Sequence, residues 1–302
     1  MNRRTFIELA ASSAVADTAS TKARAQQYRI PTRPIPATGE KLPVIGLGTA
    51  DEFDYMPLDG GEELKTVIWT LLEQGGTIVD TSPAYRNAEA VVGQLLGEMG
   101  LVDSVFLSTK IRTSGADAGI DSLEHSQTRL RTQQFDVVFV HDLVDVHTQL
   151  ANIRTWRDAG RVRYIGVSTS ELPHFDDMEA LINSAELDFI QINYGVADTL
   201  AGERVIPAAA DRGVAVMINS PFGDGRYFER VRGHELPDWA DEFDCESWAQ
   251  FSLKYILANS DVTCVIPATS NPAHLIDNAR AGSGRLPDTA MRRRMTEYLR
   301  DL

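Results

Sequence analysis

Four side chains in this 302-residue sequence have the types and spacing to move a proton together. Asp80 ends the short apolar run Thr77-Ile78-Val79, Lys110 ends Val105 to Thr109, and His141 ends Asp136 to Val140. Tyr85 follows Asp80 after Thr81-Ser82-Pro83-Ala84, just ahead of a helical pattern. An acid, an ammonium, an imidazole and a phenol suit protonation of a carbonyl oxygen. A phenol titrates near ~10 and is by itself a poor donor at neutral pH. An ammonium beside it stabilises the phenolate, and a carboxylate holds that ammonium charged and in place. A neutral histidine could hydrogen-bond the carbonyl and orient it. The hydride that completes a reduction comes from no side chain, so a nicotinamide cofactor is implied.

Taken singly, each residue has a structural explanation: Asp80 as a turn cap, Lys110 reaching solvent, His141 as a satisfied core histidine, Tyr85 as helix packing. Their recurrence at successive strand ends argues for a shared use. Apolar, β-branched runs ending in a polar residue alternate with amphipathic segments along the chain. The runs are Val44 to Thr49, the three already given, Tyr164 to Val167 before Ser168, Phe189-Ile190 before Gln191, Val214 to Ile218 before Asn219, and Val262 to Ile266 before Pro267. Polar ends at 80, 110, 141, 168, 191 and 219 are separated by 30, 31, 27, 23 and 28 residues, one strand and one helix at a time. Eight such units predict an α/β chain closed as a (β/α)₈ TIM barrel, with the strand ends gathered at one mouth.

Helices are expected over 62–74, 88–99, 120–132, 147–159, 172–185, 202–212, 246–259, 273–281 and 287–302. The Pro- and Thr-rich stretch 28–43 predicts a β-hairpin ahead of the barrel. Gly46-Leu47-Gly48 lacks the third glycine of a Rossmann turn. The interval between Asn219 and Val262 is too long for one unit and is expected to form part of the site.

A formal charge of −14 disfavours a nucleic-acid partner. Two cysteines, Cys245 and Cys264, make neither a disulfide framework nor a metal cluster. No His-x-His stands at a strand end, which weighs against a metal-dependent hydrolase, and no metal site is expected. Arg3-Arg4 precedes an alanine-rich stretch, with Ala23-Arg24-Ala25 at cleavage spacing. Residues 1–25 therefore resemble a twin-arginine (Tat) export signal. On that reading the Tat machinery is a partner, 26–302 is the barrel domain and the location is periplasmic. If the signal is not functional the location is cytoplasmic, and in either case no membrane anchor is expected.

Together VDTSPAY with NAEAVVGQLLGE, VFLSTK, VVFVHDL, GRVRYIGVSTSE, FIQINY and IPATSNPAHLIDN resemble the aldo-keto reductase family. The resemblance implies an NAD(P)H-dependent carbonyl reductase or alcohol dehydrogenase with Tyr85 as proton donor, Lys110 and Asp80 tuning it, and His141 orienting a small carbonyl substrate. It implies NADPH, with NADH possible, extended across the barrel mouth. Gly48 and Thr49 would line its path, and Ser168, Gln191 and Asn219 would meet the nicotinamide. Ser220, Phe222 and Gly223 would lie along the pyrophosphate, and Thr269, Ser270, His274 and Asn278 at the adenosine end. Four positions depart from the family pattern: Thr169 and Asn219 near the nicotinamide, and Ala268 and His274 where many members place Lys and Arg around a 2′-phosphate. The alternative is a barrel that binds nicotinamide as a sensor or structural subunit.

Overall fold

The barrel is built from strands whose side chains alternate between two hydrophobic layers along most of their length. The computed structural model describes residues 29–55 and 60–302, so the export-signal reading of 1–25 lies outside the described residues. After a hairpin of β1 (Thr32–Pro34) and β2 (Lys41–Pro43), the barrel strands are β3 (Leu47–Gly48), β4 (Ile78–Asp80), β5 (Phe106–Ile111) and β6 (Phe135–His141), followed by β7 (Val162–Thr169), β8 (Phe189–Asn193), β9 (Ala215–Asn219) and β10 (Cys264–Val265). Each is parallel to its neighbour in sequence order from β3 to β10. Parallel bridges Ile45 to Val265 and Gly48 to Ala268 bring the first and last strands together and close the ring.

Side chains point to opposite faces at successive strand positions. Phe106 lies in the inner cluster with Phe139, Tyr164 and Phe189, whereas Leu107 and Ile111 join the outer layer under the helices. The same parity carries the polar ends inward: Asp80 is two residues past Ile78, Lys110 four past Phe106, His141 two past Phe139, Gln191 two past Phe189 and Asn219 two past Met217. Apolar packing at the bottom of each strand thus fixes which polar group faces the axis at the top. Phe189 anchors this packing, with ring centroids 5.5 Å from Tyr164 and 6.0 Å from Phe106. The hairpin stoppers the lower end, its Ile35 and Leu42 belonging to the inner cluster. Thr38 Oγ1 lies 3.0 Å from the Tyr164 hydroxyl, which donates to Glu40 at 2.6 Å.

The helices are α1 (Glu62–Glu73), α2 (Ala88–Met99), α3 (Ala116–Leu130), α4 (Val146–Asp158), α5 (Phe175–Ser184), α6 (Val205–Asp211), α7 (Arg226–Val231), α8 (Trp248–Leu257), α9 (Pro272–Arg280) and α10 (Thr289–Asp301). Nine match the sequence expectation to within a few residues, and α7 was not expected. It has six residues, fewer than two turns, too few to show a helical period. With a 3₁₀ turn over Asp238–Phe243, it fills the long interval after β9. The aromatics of that interval are mostly packing: Tyr227 donates to Trp248 O at 2.9 Å, and Trp239 stacks edge-on against Tyr298 of α10. Cys264 is fully buried on the inner face, where it packs as a small hydrophobe.

One glycine runs against ordinary helix propensity. Alanine favours a helix interior over glycine by about 0.8–1 kcal/mol. At Gly93 of α2, however, a Cβ would lie 2.0 Å from the carbonyl oxygen of Arg129 in α3. Gly93→Ala is expected to destabilise the fold by about 1–3 kcal/mol, read as a lower urea midpoint at unchanged slope; a neutral or stabilising effect would show that the α2–α3 contact can slide.

Candidate active site

Asp80 is the hub of the barrel mouth. Its Oδ2 accepts from Lys110 Nζ at 2.6 Å, with both side chains almost wholly buried. Its Oδ1 accepts from the Ser108 hydroxyl and from Gln191 Nε2, the latter at 2.9 Å. Lys110 Nζ also donates to Thr81 O at 3.1 Å. Burial alone pushes the Lys110 ammonium down, but Asp80 and Tyr85 outweigh it and hold its pKa above the ordinary value. The cation therefore stays charged at the bottom of the mouth, 4.8 Å from the centroid of the Tyr85 ring.

Tyr85 enters from the β4–α2 loop, where its N–H donates to Ser82 O at 3.1 Å. Its pKa is raised, burial outweighing the lowering by Lys110. The sequence expectation that Lys110 brings the phenol down is therefore right in direction for that pair, and burial overrides it in the protein alone. At the next strand, His141 Nδ1 lies 3.0 Å from Ser168 Oγ. Burial first, then the nearby Lys110 charge, lowers the His141 pKa to about 4. The ring is thus neutral at physiological pH, able to donate a hydrogen bond without adding charge.

Gln191 has a constrained orientation. Because a carboxylate only accepts, the amide nitrogen must face Asp80, which turns Oε1 away; that oxygen is buried without a partner. Asn219 shows the same feature: Nδ2 donates to Thr169 O at 3.2 Å, and Oδ1 is buried and unpaired. A cleft of about 370 Å³ opens above these groups. It is lined by Gly48, Thr49 and Glu52, by Ser220, Phe222 and Asp224, and by Asp80 and Tyr85. A Cβ on Gly48 would lie 2.8 Å from Ile266 O, so the wall is as close as backbone allows.

The remaining expected positions divide. Ser168 is committed to His141, so its hydroxyl orients the imidazole. Ser220 has a φ of 42° and donates to Asp224 at 3.2 Å, shaping the turn that includes Gly223. Thr269 Oγ1 accepts from Asn271 N at 3.1 Å, Ser270 donates to Glu52, Asn278 is buried in α9, and His274 is exposed on the same helix. Ser108 and Glu52 escaped sequence reasoning. For Ser108 the signal was its position two residues before Lys110, on the same face of β5. Glu52 had no comparable signal, since only the ring closure brings it to Ser270.

The family model described as the Aldo/keto reductase family matches residues 44–296. The chain belongs to this family. It is accordingly an oxidoreductase acting on carbonyl or alcohol groups. It is 32% identical to the aldo-keto reductase YhdN of Bacillus subtilis over 199 residues, which is 60% of this chain and 59% of that relative's length. It is 22% identical to the NADH-specific methylglyoxal reductase of Escherichia coli, covering 88% of this chain and 98% of that protein. Among solved structures, the aldo-keto reductase of Klebsiella pneumoniae in complex with NADPH aligns with a TM-score of 0.76 at 23% identity, covering 89% of this chain and 95% of that one. At that identity the likeness concerns the fold, the (β/α)₈ barrel.

The neutral His141 has a consequence for acid stability. Between 6.5, its ordinary value, and about 4, the unfolded chain binds a proton that the native ring does not. Stability therefore falls as pH drops through that window. His141→Gln should lose less stability than the parent between pH 7 and pH 5 in urea titrations, and an equal loss would contradict this origin.

Proposed function

We propose that this chain reduces an aldehyde or ketone, or oxidises the corresponding alcohol, with Tyr85 exchanging the proton on the carbonyl oxygen. The observation that carries this is the buried Lys110–Asp80 pair at 2.6 Å, set against the Tyr85 ring. The ammonium stabilises a phenolate as Tyr85 releases its proton, and Asp80, held by Ser108 and Gln191, prevents Lys110 from losing its own charge. Neutral His141, fixed by Ser168, is suited to donate a hydrogen bond to the carbonyl and set its angle.

The residues fit a reduced nicotinamide dinucleotide, NADPH or NADH, which when bound supplies the hydride. The unpaired Gln191 Oε1 is an acceptor waiting for an amide donor, and Asn219 Oδ1 is another. In this reading Gln191, Asn219 and Ser168 hold the carboxamide end, and Gly48 and Thr49 line the path. Ser220, Phe222 and Gly223 cover the pyrophosphate, and Thr269, Ser270, His274 and Asn278 bound the adenosine end. The NADPH complex and the NADH-specific relative described above support either form. The methylglyoxal reductase supports a small reactive carbonyl as the first substrate to try.

Tyr85→Phe should lower turnover by about 10³-fold or more, in the range of a lost acid–base group at a committed site, while dinucleotide binding is retained. Full activity in that variant, measured against a panel of carbonyls, would sink the proton role. We further propose that residues 1–25 export a folded barrel domain of 26–302. The form recovered from a periplasmic fraction should then begin near Gln26 by mass, whereas a full-length cytoplasmic form would refute the export reading.

A further inference from the structure

Resting on the dinucleotide reading above, we infer that Glu52 makes the cleft select NADH over NADPH, its carboxylate taking the ribose 2′-hydroxyl that NADPH replaces with a phosphate. Glu52 lines the cleft and accepts a hydrogen bond from the Ser270 hydroxyl, across the seam where β3 meets β10. Gly48 and Ala268 pair at that seam, so Glu52 and Ser270 stand four and two residues beyond it. Glu52 shares the cleft lining with Asp80, Tyr85 and Ala268 and ties it to Ser270. Because Ser270 bounds the adenosine end in that reading, a dinucleotide whose nicotinamide meets Gln191 brings its far ribose toward Glu52.

The charge of that end is unsuited to a second phosphate. Among the described residues, the cleft is lined by Asp51, Glu52 and Asp224 and by no lysine or arginine. Ala268 contributes a methyl group, and Arg280 of α9 is tied to Glu246 at 3.3 Å. Helix α9 is also a poor anion site. Pro272 in its first turn has no N–H, and the N–H of Ala273 is taken by the Asn271 side chain at 2.8 Å. A 2′-phosphate adds about 1.5–2 negative charges and would face carboxylates that only accept hydrogen bonds. A 2′-hydroxyl, in contrast, donates to Glu52 in place of Ser270. The same logic distinguishes an acidic residue on the ribose of NAD from an arginine on the phosphate of NADP in other dinucleotide folds.

Binding, measured apart from turnover, tests this. Purified protein titrated with NADH and with NADPH at low salt, followed by tryptophan quenching and by calorimetry, should bind NADH at least about tenfold more tightly. Added salt should narrow the ratio, because like charges are then screened. Glu52→Gln should shrink the ratio by about fivefold or more, and the double variant E52Q/A268K should reverse it. Ser270→Ala, which keeps Glu52 and removes its internal partner, should retain the NADH preference; this second variant serves if the Glu52 change disturbs the loop. NADPH binding as tightly as NADH, or a ratio unmoved in a folded Glu52→Gln protein, overturns the selection and leaves the dinucleotide reading standing. Failure of both dinucleotides to bind overturns the two together.

Discussion

A positive charge buried at the centre of a barrel is the constraint that the rest of this molecule serves. Lys110 is fully enclosed, and an ammonium there is tolerable only with a carboxylate at contact distance and with that carboxylate's other lone pairs satisfied. Asp80 meets the first need at 2.6 Å, and Ser108 and Gln191 meet the second. These four residues come from β4, β5 and β8, so the pair is stable only when the ring of strands is complete. Once held, the charge favours the ionised form of a phenol placed over it, a pull that burial outweighs at Tyr85 in the protein alone.

The mouth also separates charge by function. Its floor carries one compensated cation and a neutral imidazole, while the lining of the cleft carries the acids Asp51, Glu52 and Asp224, the last of them 4.0 Å from Arg226. Family membership fixes the reaction class.

Much of this was readable in one sequence because the pattern was doubly determined. A polar residue after an apolar β-branched run marks a strand end, and the equal spacing of such ends marks a barrel; Asp80, Lys110 and His141 were found by both signals. Ser108 satisfied neither, since a serine inside an apolar strand looks like ordinary strand filler until its parity with Lys110 is considered. Helix α7 was lost because six residues cannot display a period. The commitment of Ser168 to His141 depends on the β6–β7 register, in which residues 141 and 168 are directly paired, and no local pattern encodes that register. The Glu52–Ser270 contact spans nearly the whole chain and follows from ring closure alone.

Consider finally Glu89, a buried carboxylate on α2 that plays no part in the mouth. It accepts from Thr109 Oγ1 at 2.7 Å and from Arg129 of α3 at 3.0 Å. Thr109 is the immediate neighbour of Lys110 on β5, facing outward where Lys110 faces inward. The loop bearing Tyr85 leads directly into α2, the helix that Glu89 pins. One outer clamp therefore indexes two inner groups, the ammonium through its strand neighbour and the phenol through its helix. The barrel wall works like the frame of an instrument, in which screws on the outside set the alignment of parts within; a change at half-exposed Arg129 is, mechanically, an adjustment of Lys110 and Tyr85.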